Sequence, residues 1–174
     1  MRSQLLLVPA ALCMAAPAWG SVYYLNGPQA QQLLFPGATF TEDFRIMTDK
    51  QMRDLKSEAM APIADRTLRM WKVSTGGYFF IDQVDGLDTT VTYAIALDAN
   101  GVVLGIEVME CLSEYSKIRL PEWRAQFKGK KVGTLWKKGE IENISGTTLS
   151  CVHITDGVRK ILTAFNMLVQ QPQS

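Results

Sequence analysis

The C-terminal third of the chain is amphipathic at a helical period. Leu149, Val152, Val158, Ile161, Leu162, Phe165, Leu168 and Val169 fall on one stripe. The pattern predicts one long helix with a core-facing side, broken at most mildly by Gly157. The middle of the chain has strand character instead. Leu68, Met70, Trp71 and Val73, and then Tyr78-Phe79-Phe80-Ile81, flank Thr75-Gly76-Gly77, which predicts a hairpin. Residues 90–97 are β-rich throughout, and Asp98-Ala99-Asn100-Gly101 turns them into a second strand over 102–109. Shorter helices are expected at 29–35, at 121–127 closing on Gly129, and from the Thr48 cap to about Met60. Gln51 stands in capping-box position for the last of these. An extended piece is expected over 131–136, followed by a turn at Lys138-Gly139. Hairpins with helices before and after them predict an α+β fold with a largely antiparallel sheet. Residues 21–174 read as a single domain.

The first twenty residues read as a processing signal. Arg2 is the only charge before Glu42, an apolar run begins at Leu5, and Ala18-Trp19-Gly20 ends it with small residues at the −3 and −1 positions. Cleavage is expected after Gly20, with Ala18 as the second choice. The run is shorter than the ~20 apolar residues of a membrane-spanning helix, although an uncleaved anchor is the alternative. Leu12 is too large for the residue before a lipidated Cys13. The expected product is a soluble protein of the periplasm or another extracytoplasmic space.

Removing residues 1–20 takes away Arg2 and no acid, which leaves 17 basic and 17 acidic residues. A neutral chain lacks the clustered positive charge on which nucleic-acid affinity rests. The basic knot of Lys128, Lys130 and Lys131 reads as a solvated loop before a ligand clamp. Cys111 and Cys151 either pair in an oxidising compartment or pack as two buried thiols. With His153 as the one histidine, a zinc site would have to draw on carboxylates, and no metal is expected.

The segment Glu142-Asn143-Ile144-Ser145-Gly146-Thr147-Thr148 stands directly before the long helix. A small, hydroxyl-rich turn there has two readings. One is an ordinary N-cap, in which a hydroxyl accepts a backbone N–H. The other is a phosphate site, because the first N–H groups of a helix are unpaired and its dipole is positive at that end. Ser150, His153 and Asp156 are spaced by three along one helix face, stacked side by side, and cannot converge as a hydrolase triad.

Ile144-Ser145-Gly146-Thr147-Thr148-Leu149-Ser150 resembles the Ser-Gly-Ala-Thr flavinylation motif of the FMN-binding domain family. Members include the C subunit of the sodium-pumping quinone reductase and the G subunit of the Rnf electron-transport complex. Gly76-Gly77-Tyr78-Phe79, Thr92 to Asp98, Glu114-Tyr115 and Trp123-Arg124-Ala125-Gln126-Phe127-Lys128-Gly129-Lys130 also resemble small members, so the likeness spans roughly 68–165. The resemblance implies covalent FMN, esterified through its phosphate to Thr148 by an FAD:protein FMN transferase. It places Ser145, Gly146 and Thr147 in the motif and Glu142 at its preceding acidic position. Leu149, Trp123 and Tyr115 become candidate walls for the isoalloxazine ring, and Glu114 a polar contact. Trp123 and Tyr115 also read as plain core aromatics, and His153 as a residue of the helix rather than a flavin ligand.

The function implied is an electron-transfer carrier supplied by a membrane-bound redox partner. Two positions depart from the family pattern. Thr147 stands where the family has alanine, and Gly86-Leu87-Asp88 where small members have Gly-Lys-His. They motivate the alternative, a non-flavinylated binding or scaffold protein on the same fold. A reductase using noncovalent flavin is a third reading.

Overall fold

The computed structural model describes residues 20–63, 65–86, 89–137 and 139–171. Residues 1–19 of the proposed leader and the Leu87-Asp88 departure lie outside these residues, as does Lys138 of the expected turn.

Six strands form one antiparallel sheet in the order β1-β8-β7-β6-β5-β2. These are β1 (Ser21–Tyr23), β2 (Phe40–Glu42), β5 (Met70–Val73), β6 (Tyr78–Asp85), β7 (Thr90–Leu97) and β8 (Val103–Leu112). A separate two-stranded ladder pairs β3 (Arg45–Ile46) with β4 (Thr67–Leu68). The helices are α1 (Gly27–Leu34), α2 (Asp49–Ala59), α3 (Pro121–Ala125) and α4 (Thr148–Phe165), with a 3₁₀ segment at Ser113–Arg119. The α+β expectation and its hairpins hold. Thr48 and Gln51 make both bonds of the predicted capping box, and α2 ends on Met60 in a left-handed conformation.

Helices cover the sheet on both sides, which is why β7 reads as a continuous apolar run rather than an alternating one. On one face Phe80, Tyr93 and Ile95 pack with Leu55 of α2 and with Ile154, Val158 and Phe165 of α4. On the other, Phe79, Ala94 and Ala96 pack with Ala30 of α1. Gly101 closes the β7–β8 hairpin at φ +78°, and a side chain there would stand 2.9 Å from the Phe165 ring. The conformation and the space both call for glycine.

A polar knot lies between the sheet and α4. Lys160 Nζ is 2.9 and 3.0 Å from the two carboxylate oxygens of Asp82, and Tyr93 Oη donates to Asp82 at 2.7 Å. Tyr93 Oη lies against Gly157, where an added Cβ would stand 2.6 Å away. Gly157 does not break the helix; it lets α4 approach Tyr93.

Three expectations are corrected. Leu149 and Val152 are not core: they are 49% and 38% exposed, and the buried stripe runs through Cys151, Ile154, Val158, Ile161, Leu162 and Phe165. Among the described residues no strand forms over 131–136. Thr134 Oγ1 donates to the Lys131 carbonyl, and the Glu140 carboxylate accepts the N–H groups of Leu135 and Lys137, so local bonds take the place of ladder partners. Cys111 and Cys151 are free and buried, which overturns the disulfide alternative. No described helix is long and apolar enough to cross a membrane.

Candidate functional site

The turn before α4 does not cap the helix in the ordinary way. Thr147 occupies the N-cap position, yet its side chain makes no capping bond. Its hydroxyl turns inward, donating to the Ile144 carbonyl at 3.3 Å and lying 3.8 Å from the Cys151 sulfur. Thr147 is 3% exposed. The methyl and hydroxyl that distinguish it from alanine are therefore packed away from the surface that Thr148 presents. The N-cap reading of the motif fails for that reason.

The consequence is a set of open groups. Among the described residues, the N–H groups of Thr148, Leu149 and Ser150 meet no acceptor. Such groups carry the positive end of the helix dipole and suit an anion. Thr148 is exposed, and its hydroxyl has no partner among the described residues. Gly146, at φ +86°, lets the chain turn sharply into the helix and leaves open space where a side chain would be. Ser145 is exposed beside it.

The segment that delivers this turn is held by α3. Trp123 Nε1 donates to the Glu142 carbonyl at 2.8 Å, and Glu142 N–H donates to Gln126 Oε1 at 2.7 Å. Two side chains one helical turn apart thus grip both backbone groups of one residue. Phe127 is fully buried beside Trp123, and Gly129 N–H donates to Val103 of β8. The Glu142 side chain itself is exposed.

Thr148 opens onto a groove of about 480 Å³, within the ~300–1,000 Å³ typical of small-molecule sites. One wall is the α4 face of Thr148, Val152, Thr155, Asp156 and Arg159. The other is the loop between α3 and α4, including Leu135, Trp136, Ile141 and Asn143. Arg159 ties the walls together. Its guanidinium donates to the carbonyls of Ala59 and Leu135 at 2.7 and 2.8 Å and pairs with Asp156 at 2.8 Å.

The expected flavin neighbours divide. Leu149 is on the first turn of α4, beside Thr148. Trp123 is core, with its indole N–H committed to Glu142. Tyr115 and Glu114 lie on the 3₁₀ segment, half-buried and exposed respectively, and neither lines the groove with Thr148. His153 Nδ1 donates to the Asp85 carbonyl in a separate depression lined by Ala61, Pro62 and Gly157. Trp136 and Arg159 are the wall residues that sequence reasoning missed. The signal available was weak: an aromatic in a lysine-rich loop, and an arginine inside an apolar stripe.

Residues 86–163 match the model of the FMN-binding domain family. The match supports assigning this segment to that family. No curated protein matches the chain. The matched segment runs from just after β6 through β7, β8, the α3 clamp, the motif and most of α4. The match supports FMN as the ligand of this segment. The open N–H groups, the unpartnered Thr148 hydroxyl and the groove beside them fit a phosphate carrying a planar aromatic ring.

Proposed function

We propose that the chain is an exported flavoprotein that carries FMN as a phosphoester on Thr148 and serves as an electron-transfer carrier. The observation that carries this reading is the exposed, unpartnered Thr148 hydroxyl beside three open backbone N–H groups on the rim of a groove. A phosphodiester keeps one negative charge, which a helix N-terminus favours by ~1 kcal/mol. The turn around Gly146 is exposed, so an FAD:protein FMN transferase can reach the hydroxyl. When bound, the flavin supplies the electron-accepting and electron-donating chemistry; the protein supplies attachment and surroundings. A membrane-bound redox partner loads it in the periplasm, where the leader delivers the chain.

The scaffold alternative drew on two departures. Thr147 faces inward and leaves the acceptor surface unchanged, so the reading as a carrier is the better supported.

A denaturing gel tests it. After co-expression with an FAD:protein FMN transferase, flavin fluorescence is expected to migrate with the polypeptide and to be absent without the transferase. Flavin that binds the folded protein but is released completely on denaturation would contradict covalent attachment.

A further inference from the structure

Trp136 is 40% exposed in a groove whose lining residues Leu135 and Ile141 are buried. Three observations show that its position is imposed. The Arg159 guanidinium lies 5.1 Å from the centre of its ring. Leu135, directly before it, has φ +68°, a left-handed conformation unfavourable for leucine. That conformation is held from both sides: the Leu135 N–H donates to Glu140 at 2.6 Å and its carbonyl accepts from Arg159 at 2.8 Å. Arg159 is itself only 9% exposed and is anchored to the end of α2 through the Ala59 carbonyl. A buried arginine and a strained leucine therefore hold an indole at the surface of the groove that Thr148 also lines.

The indole is held in the groove by Arg159 and by the backbone of Leu135 instead of being packed into the core. Strain held in place by buried groups points to a binding role. We infer that Trp136 is the aromatic wall on which the isoalloxazine ring of bound FMN stacks, and that Arg159 is the positioning residue that fixes it there. This rests on the reading of the groove as the flavin site. A planar, electron-poor ring meets an electron-rich indole face, an arrangement that offset stacking favours. An indole in contact also quenches flavin emission by donating an electron to the excited ring, with the electron returning to the indole afterwards. No net chemistry results.

The experiment compares flavin emission and intact mass for wild type, Trp136→Leu, Arg159→Lys and the control Trp71→Phe, each co-expressed with an FAD:protein FMN transferase. Trp71 packs on the opposite face of the sheet. Trp136→Leu is expected to keep the FMN mass adduct and to raise emission per flavin several-fold, while Trp71→Phe leaves emission unchanged. Arg159→Lys keeps the charge but loses the fork that spans the carbonyls. It is expected to give a mixture of quenched and unquenched emission lifetimes, a signature that general destabilisation does not produce. An adduct with the same emission in Trp136→Leu as in wild type would overturn the inference and leave covalent attachment standing. If no adduct forms in wild type, the apo protein is titrated with free FMN. Quenching in wild type that is lost in Trp136→Leu upholds the wall and overturns covalent attachment; absence of quenching in wild type overturns both.

Discussion

The indole N–H of Trp123 reaches the carbonyl of Glu142 at 2.8 Å, and this bond ties α3 to the segment that presents Thr148. The indole is buried, and loss of its N–H leaves the Glu142 carbonyl without this partner. Trp123→Phe is predicted to cost about 1–2 kcal/mol, measured by urea unfolding. It is also predicted to slow flavin attachment, because the Glu142 backbone would keep only its bond to Gln126. A variant with lower stability and unchanged attachment rate would separate the clamp from the site.

Gly157 offers a test of how α4 packs. Alanine is normally better than glycine inside a helix by about 1 kcal/mol. Here an added Cβ would stand 2.6 Å from Tyr93 Oη and from a Val84 methyl. Gly157→Ala is therefore predicted to destabilise the protein by about 1–3 kcal/mol, and Tyr93→Phe in the same chain to recover part of the loss. Thermal unfolding of the two single variants and the double variant measures the coupling.

The alkaline limit of stability is predicted to depend on Tyr93. Burial, and then the neighbouring Asp82 carboxylate, push its phenol well above the ordinary value of 10.0. Below about pH 10 folded and unfolded chains both keep the proton, and Tyr93 contributes no pH dependence. Above it the unfolded chain releases the proton first, so stability falls as pH rises, by up to about 1.4 kcal/mol per pH unit. Tyr24 and Cys111 are raised as well, chiefly by burial, and add to the same trend. Urea midpoints measured across this range should fall less steeply in Tyr93→Phe than in wild type. Equal slopes would contradict the assignment.

Much of this was legible in the sequence, for physical reasons that differ by element. The hairpin at Asn100-Gly101 announces itself because few residues other than glycine accept φ +78°. The Thr48–Gln51 box is a purely local pair of bonds. The block from Trp123 to Gly129 was recognisable as a family likeness, and its members grip Glu142, fill the core and abut β8. The first turns of α4 were misjudged because Leu149 and Val152 continue the apolar spacing past the point where the sheet and α2 cover the helix. The segment over 131–136 was misjudged because its bonds are local ones, to Thr134 and to the nearby Glu140 carboxylate. Arg159 was invisible for a third reason: its partners Ala59 and Leu135 are brought to it only by the tertiary fold.

The central claim is that Thr148 Oγ1, and not the adjacent hydroxyl, bears FMN. Intact-mass analysis of wild type, Thr148→Ala and Thr147→Ala, each co-expressed with an FAD:protein FMN transferase, tests it most directly. The account predicts an FMN-sized adduct on wild type and on Thr147→Ala, whose lost hydroxyl served only Ile144 and Cys151, and none on Thr148→Ala. An adduct that persists on Thr148→Ala, or one absent from both wild type and Thr147→Ala, would contradict it.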